Sequence, residues 1–211
     1  MRDDRLKTRT GFARLIRRPE FASLLGFIAI FVFFLSVAPA FRSFEALATT
    51  LYASSTLGIV ALAVGMLMIG GEFDLSSGVA VTTAALAATM LNYNLHLNSW
   101  VGAFLALGIS LAIGALNGFL VTRTGIDSFL ITLAAFLMLQ GLNLAVTKLV
   151  TGQVATPTIA DMEGFPSAHA VFAGEFHIGN VRISVTVLWW IFFVAVASFV
   201  LFRTKFGGWI T

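Results

Sequence analysis

Residues 66–81 read MLMIGGEFDLSSGVAV, two carboxylates in an otherwise apolar neighbourhood. Glu72 and Asp74 stand beside a Gly70-Gly71 step, with Ser76 and Gly78 just after, and apolar runs flank them at 50–69 and 75–91. Two glycines end one helix, and Asp-Leu-Ser-Ser reads as the start of the next. The Asp74 carboxylate can accept from the N–H of Ser76 or Ser77 as an N-cap, and its charge complements the positive end of the helix dipole. The following run is short, which places its beginning below a membrane surface. Irregular backbone at that depth is tolerated only where protein or a water-filled cavity surrounds it. Three readings stand open: an ordinary cytoplasmic turn, a re-entrant or broken helix lining a polar passage, and a carboxylate pair that binds a metal or relays protons.

Working outward, the chain of 211 residues is 58% hydrophobic and 11% charged, against a usual charged share of roughly a quarter. Further apolar runs lie at 21–39, 100–121, 128–150 and 183–202. All but the run at 75–91 reach the roughly 20 residues that a helix needs to cross hydrocarbon. The expected fold is therefore an all-α, polytopic transmembrane bundle of about six spans. Nothing alternates over the roughly 10-residue segments that a β-barrel strand would show. Cysteine is absent, which removes disulfides and thiolate metal sites.

The charges orient the chain. Arg2, Arg5, Lys7, Arg9, Arg14, Arg17 and Arg18 precede the first run, Arg123 follows the fourth, and Arg203 and Lys205 follow the sixth. With the N-terminus cytoplasmic these all lie inside, and only Arg42, Lys148 and Arg182 lie outside, as the positive-inside rule requires. A basic segment at 1–20 thus anchors a transmembrane domain at 21–211. No basic stripe on a folded domain exists to bind nucleic acid. Pro19 suits a first helical turn, and the first run is expected to be a retained anchor rather than a cleaved signal. AFRSFEALATT (40–50) is expected along the outer interface, Tyr93 and Trp100 as interfacial anchors, and TRTGID (122–127) as a tight inner turn. The loop at 151–182 is expected to be exterior and largely irregular, with one short helix.

Ala61 and Gly65, and Gly114 and Gly118, are four apart. Such spacing suits close helix packing in lipid, where no hydrophobic drive exists. His96, His169 and His177 fall on the outer side, away from Glu72 and Asp74, and their spacings fit no zinc motif. No HExxH, GxSxG or Walker sequence occurs. No catalytic, metal or cofactor site is expected on this chain.

GGEFDLSSG (70–78) resembles the GG-(E)-x-D-L-S-x-G signature of ribose/xylose-type sugar ABC transporter permeases. A second block, IGALNGFLVTRTGIDSFLITLAAFLMLQGLNLAVT (113–147), resembles a region of that family through Asn117, Gly118, Phe129, Thr132, Leu133, Gly141 and Thr147, with Gln140 where the family often carries Arg. LFRTKFG (201–207) resembles the basic turn after the sixth span. The resemblance implies a non-catalytic permease subunit in a bacterial inner membrane, moving a sugar or sugar-like solute by alternating access. It implies a second permease subunit, cytoplasmic subunits that bind ATP and Mg, and a periplasmic sugar-binding protein. Family members run to about ten spans, so the chain is expected to be partial or shortened.

On this resemblance Asp74 fixes a broken helix, and Gly70 and Gly71 let the backbone pass a crowded point. Glu72, Asp74, Ser76, Asn117, Gln140 and Asn143 become pathway candidates for a neutral, hydroxyl-rich solute. For Asn117, Gln140 and Asn143 a helix–helix hydrogen bond is the competing reading. Competing functions are an ion-coupled secondary transporter using Glu72 or Asp74, and a membrane scaffold without a pathway.

Overall fold

The computed structural model describes residues 19–179 and 181–210, with the side chains of residues 19 and 20 left aside. The basic cluster expected inside therefore lies, from Met1 to Arg18, outside the described residues. The chain divides into two compact units, 1–49 and 50–211. In the first, helix α1 (Pro19–Val37) is followed by a 3-10 turn (Pro39–Arg42). The last carbonyls of a helix have no intrahelical partners. Here Arg42 supplies donors, its Nε to the Leu35 carbonyl at 2.6 Å and an Nη to that of Ser36 at 2.8 Å. Helix α2 (Phe44–Ile69) begins within this unit. The stretch at 40–50 is thus mostly helical. The apolar count misses its start because Glu45, Thr49 and Thr50 dilute the run.

The second unit holds the rest of α2, then α3 (Ser77–Leu95), α4 (Ser99–Thr124), α5 (Ser128–Thr151), α6 (Phe165–Phe172), strands β1 (Glu175–Ile178) and β2 (Val181–Ser184), α7 (Val185–Arg203) and α8 (Lys205–Ile210). Several helix ends have a legible cause. The turn between α4 and α5 uses Gly125 at φ 68°, then the Asp127 carboxylate accepting from the Phe129 N–H at 2.8 Å. Asn98 caps α4 by accepting from the Trp100 N–H at 3.0 Å. His96, at φ 50°, takes the left-handed position that closes α3.

Helix α3 is the centre of this unit, packed on α4 and α5. Its buried edge is Ala80, Ala84 and Ala88, one turn apart, which lets the neighbours approach closely. The other faces run the opposite way from a soluble protein. Phe104, Leu107, Leu111, Leu116 and Phe119 of α4 are all exposed, an apolar surface that belongs in lipid. Among the described residues α2, α4, α5 and α7 are long and apolar enough to cross a membrane. Length and composition thus support four of the expected six spans. The apolar stretch of α1 that can be judged, Phe21–Val37, is shorter, and α3, though 19 residues long, carries too many Thr and Asn side chains.

The outer loop contains the expected short helix, α6, and a hairpin that was not expected. Strands β1 and β2 pair antiparallel, with Phe176 opposite Ile183 and His177 opposite Arg182. The signal was present in the sequence, where a Gly-Asn pair between EFHI and VRIS is of a type that favours a hairpin. Trp100 also has a packing role. Its Nε1 donates to Ser167 Oγ at 2.9 Å and its ring packs on Phe172, tying the outer loop to α4. Among the described residues nothing packs against Gly65, Gly114 or Gly118, where an added side chain would meet open space. Close approaches lie instead at Gly102, against Asn92, and at Gly58, against Trp190.

Candidate functional site

Helix α2 ends in a Schellman motif. The Gly71 N–H donates to the Met68 carbonyl at 3.1 Å, and the Glu72 N–H to that of Leu67 at 3.2 Å. Gly71 sits at φ 84° with nothing near its missing Cβ. Its role is therefore backbone conformation, not passage of a crowded point. A side chain there carries a left-handed penalty of about 1 kcal/mol. Gly71→Ala should lower the stability of the purified full-length protein by about that amount, read as a small downward shift in thermal unfolding. No loss would mean that the turn relaxes.

From Glu72 to Ser76 the backbone is irregular, and α5 supplies its partners. The Phe73 N–H donates to Ser128 Oγ at 3.1 Å and the Leu75 N–H to Thr132 Oγ1 at 3.2 Å. Thr132 in turn donates to the Ser128 carbonyl at 2.8 Å, and Phe73 lies against Phe129. Unpaired N–H groups at membrane depth each cost several kcal/mol. Two hydroxyls on the first turns of α5 therefore fasten this strap. Neither Ser128 nor Thr132 stood among the candidates, although Thr132 belongs to the second block of resemblance.

Asp74 closes the strap from its own side. One carboxylate oxygen accepts from both the N–H and the hydroxyl of Ser76, each at 2.7 Å. Helix α3 starts at Ser77 and Ser76 holds the cap position. Asp74 thus makes an Asx-type turn before the helix rather than capping it. The Ser76 hydroxyl, 1% exposed, also accepts from Asn117 Nδ2 at 2.8 Å. Asn117, Ser76 and Asp74 form one chain of hydrogen bonds linking α4, the start of α3 and the strap. The helix–helix reading holds for Asn117.

The remaining candidates separate. Glu72, Asp74, Asn117 and Gly118 border a cavity of about 340 Å³ between the strap, α4 and the start of α5. Gln140, Asn143 and Gly78 border a different groove, of about 470 Å³, between α3 and α5. Ser76 is buried, and Gly141 faces open space. The candidates do not line one space within this chain, because the two linings share no residue. Among the described residues no three His, Asp or Glu side chains group together, so Glu72 and Asp74 are a pair without further ionisable ligands.

Comparison with known proteins completes the picture. The chain is 28% identical over 189 residues to the xylose transport system permease protein XylH of Escherichia coli K12, covering 86% of this chain and 46% of that protein. It is 26% identical over 193 residues to the ribose import permease protein RbsC of the same strain, covering 90% and 56%. It is 28% identical over 194 residues to the autoinducer 2 import system permease protein LsrC of an Enterobacter species, covering 92% and 52%. The chain thus spans about half the length of the curated relatives it matches. No solved structure matches it. Residues 46–211 match a family described as the permease component of the branched-chain amino acid transport system. With the strap, the second block and every helix from α3 onward inside that match, the chain belongs to this permease family.

Proposed function

We propose that this chain forms part of the permease subunit of an ATP-binding-cassette importer, moving a sugar or sugar-like solute across a bacterial inner membrane. The match over residues 46–211 carries this reading. The relatives support the solute class, since they are named for the import or transport of xylose, ribose and autoinducer 2. In this reading ATP and Mg belong to separate cytoplasmic subunits, a second permease subunit completes the pathway, and a periplasmic binding protein delivers the solute. The permease hydrolyses nothing. ATPase closure biases it between inward- and outward-open states, because a partner shifts only states that it binds differently. The strap at Glu72–Ser76 serves as a rigid joint in that movement. Three of its backbone N–H groups are satisfied by Asp74, Ser128 and Thr132.

Co-purification of the full-length protein from native membranes, followed by mass spectrometry, tests the proposal. An ATP-binding subunit and a periplasmic binding protein are the expected companions. Uptake driven by an ion gradient in vesicles containing the permease alone would overturn it.

A further inference from the structure

The groove between α3 and α5 has chemistry that the rest of the membrane-facing surface lacks. Gln140, Asn143 and Thr147 follow one another at i, i+3 and i+7 on α5, so they share one face. Thr82 faces them from α3, and Gly78 leaves the groove open one turn below. Gln140 lies about 18 Å along α5 from its inner end, at 1.5 Å per residue, so the groove runs from mid-span toward the outer end. Val154 of the outer loop borders it there.

Neither amide takes part in the hydrogen bonds made among the described residues, unlike Asn117. Thr147 Oγ1 is buried, with the residue 2% exposed, and has no partner. An apolar medium would penalise each of these groups by several kcal/mol. A face carrying all three is therefore not turned to lipid. None of the residues bordering the groove is charged. Amides and hydroxyls both donate and accept, which matches a solute whose own hydroxyls do the same. A charged solute would find no counter-charge to offset its desolvation. The volume, about 470 Å³, falls in the range of small-molecule sites.

We infer that this groove is the solute-contacting site of the pathway, taking a neutral, polyhydroxylated solute through Thr82, Gln140, Asn143 and Thr147, while the carboxylates Glu72 and Asp74 take no part in contacting it. This inference rests on the import reading above. It reaches further, because it separates the residues that meet the solute from those that fasten the strap.

The absence of cysteine provides a direct test on the full-length permease assembled with its ATPase and binding protein. Single Asn143→Cys and Thr82→Cys variants are treated with a membrane-impermeant maleimide, with and without excess ribose or xylose. Both should be labelled and protected by whichever sugar is transported. Met138→Cys, on the opposite face of α5 and 64% exposed, should not react because lipid covers it.

In parallel, Gln140→Leu and Asn143→Leu should each weaken half-saturation for uptake by about tenfold, the loss of one or two hydrogen bonds. Exchanging an unpartnered amide for leucine within a span does not threaten folding, so a loss of this kind reads on the solute. Unreactive cysteines at both sites would mean that another part of the protein fills the groove, overturning the inference. Uptake by both leucine variants within twofold of wild type would also overturn it. Wild type moving neither sugar with ATP would instead sink the import reading, and this inference with it.

Discussion

Asp74→Ala should destabilise the full-length protein by about 3 kcal/mol, the cost of leaving two largely buried donors unsatisfied. Both donors belong to Ser76, and both use a single carboxylate oxygen at 2.7 Å. Without that acceptor the Ser76 hydroxyl loses its place between Asp74 and Asn117, and the start of α3 is no longer fixed to α4. Asp74→Asn should behave differently. The carboxamide oxygen can accept from the same two donors, so stability should remain within about 1 kcal/mol of wild type, and ATP-driven uptake should persist. Thermal unfolding in detergent and uptake in reconstituted vesicles read the two effects separately. A proton- or sodium-coupling role predicts the reverse pattern, because an amide carries neither proton nor charge. A stable Asp74→Asn protein that no longer transports would therefore restore Asp74 as a coupling group.

That contrast shows what was legible in the chain before its structure. The break between α2 and α3 was visible, because Gly-Gly followed by Asp-x-Ser has few other local solutions. The partners that fasten it were not. Ser128 and Thr132 look like ordinary residues at a helix start, and their task is set by backbone N–H groups more than fifty positions away. The polar residues within the spans were visible too, yet their spacing gave no way to separate glue from pathway. Asn117 meets Ser76, whereas Gln140 and Asn143 meet a groove, and that difference depends on which face of each helix turns toward α3. The outer hairpin was readable from Gly179-Asn180 between two short alternating runs, and was obscured by the Pro and Gly content of the loop around it.

Small residues make the same point most sharply, and they lead to the second large effect. Ala61/Gly65, Gly114/Gly118 and Gly102/Ala106 share one spacing, but only Gly102 has a neighbour that forbids a side chain. A Cβ there would overlap the carboxamide of Asn92, which is 2% exposed and has nowhere to retreat. Gly102→Val should therefore destabilise by about 3 kcal/mol, the upper end of the usual cost of overpacking, and Gly102→Ala by roughly half as much. Asn92→Ala should lie within about 1 kcal/mol of wild type, because its side-chain oxygen is buried without a partner and removing it also removes that penalty. The double variant Asn92→Ala/Gly102→Ala then has room where the single glycine variant has none. It should recover most of the loss, giving a coupling energy of about 1 kcal/mol or more, as neighbours in contact do. Strict additivity in thermal unfolding would mean that Gly102 acts through backbone freedom alone, and that α3 and α4 do not depend on this contact for their separation.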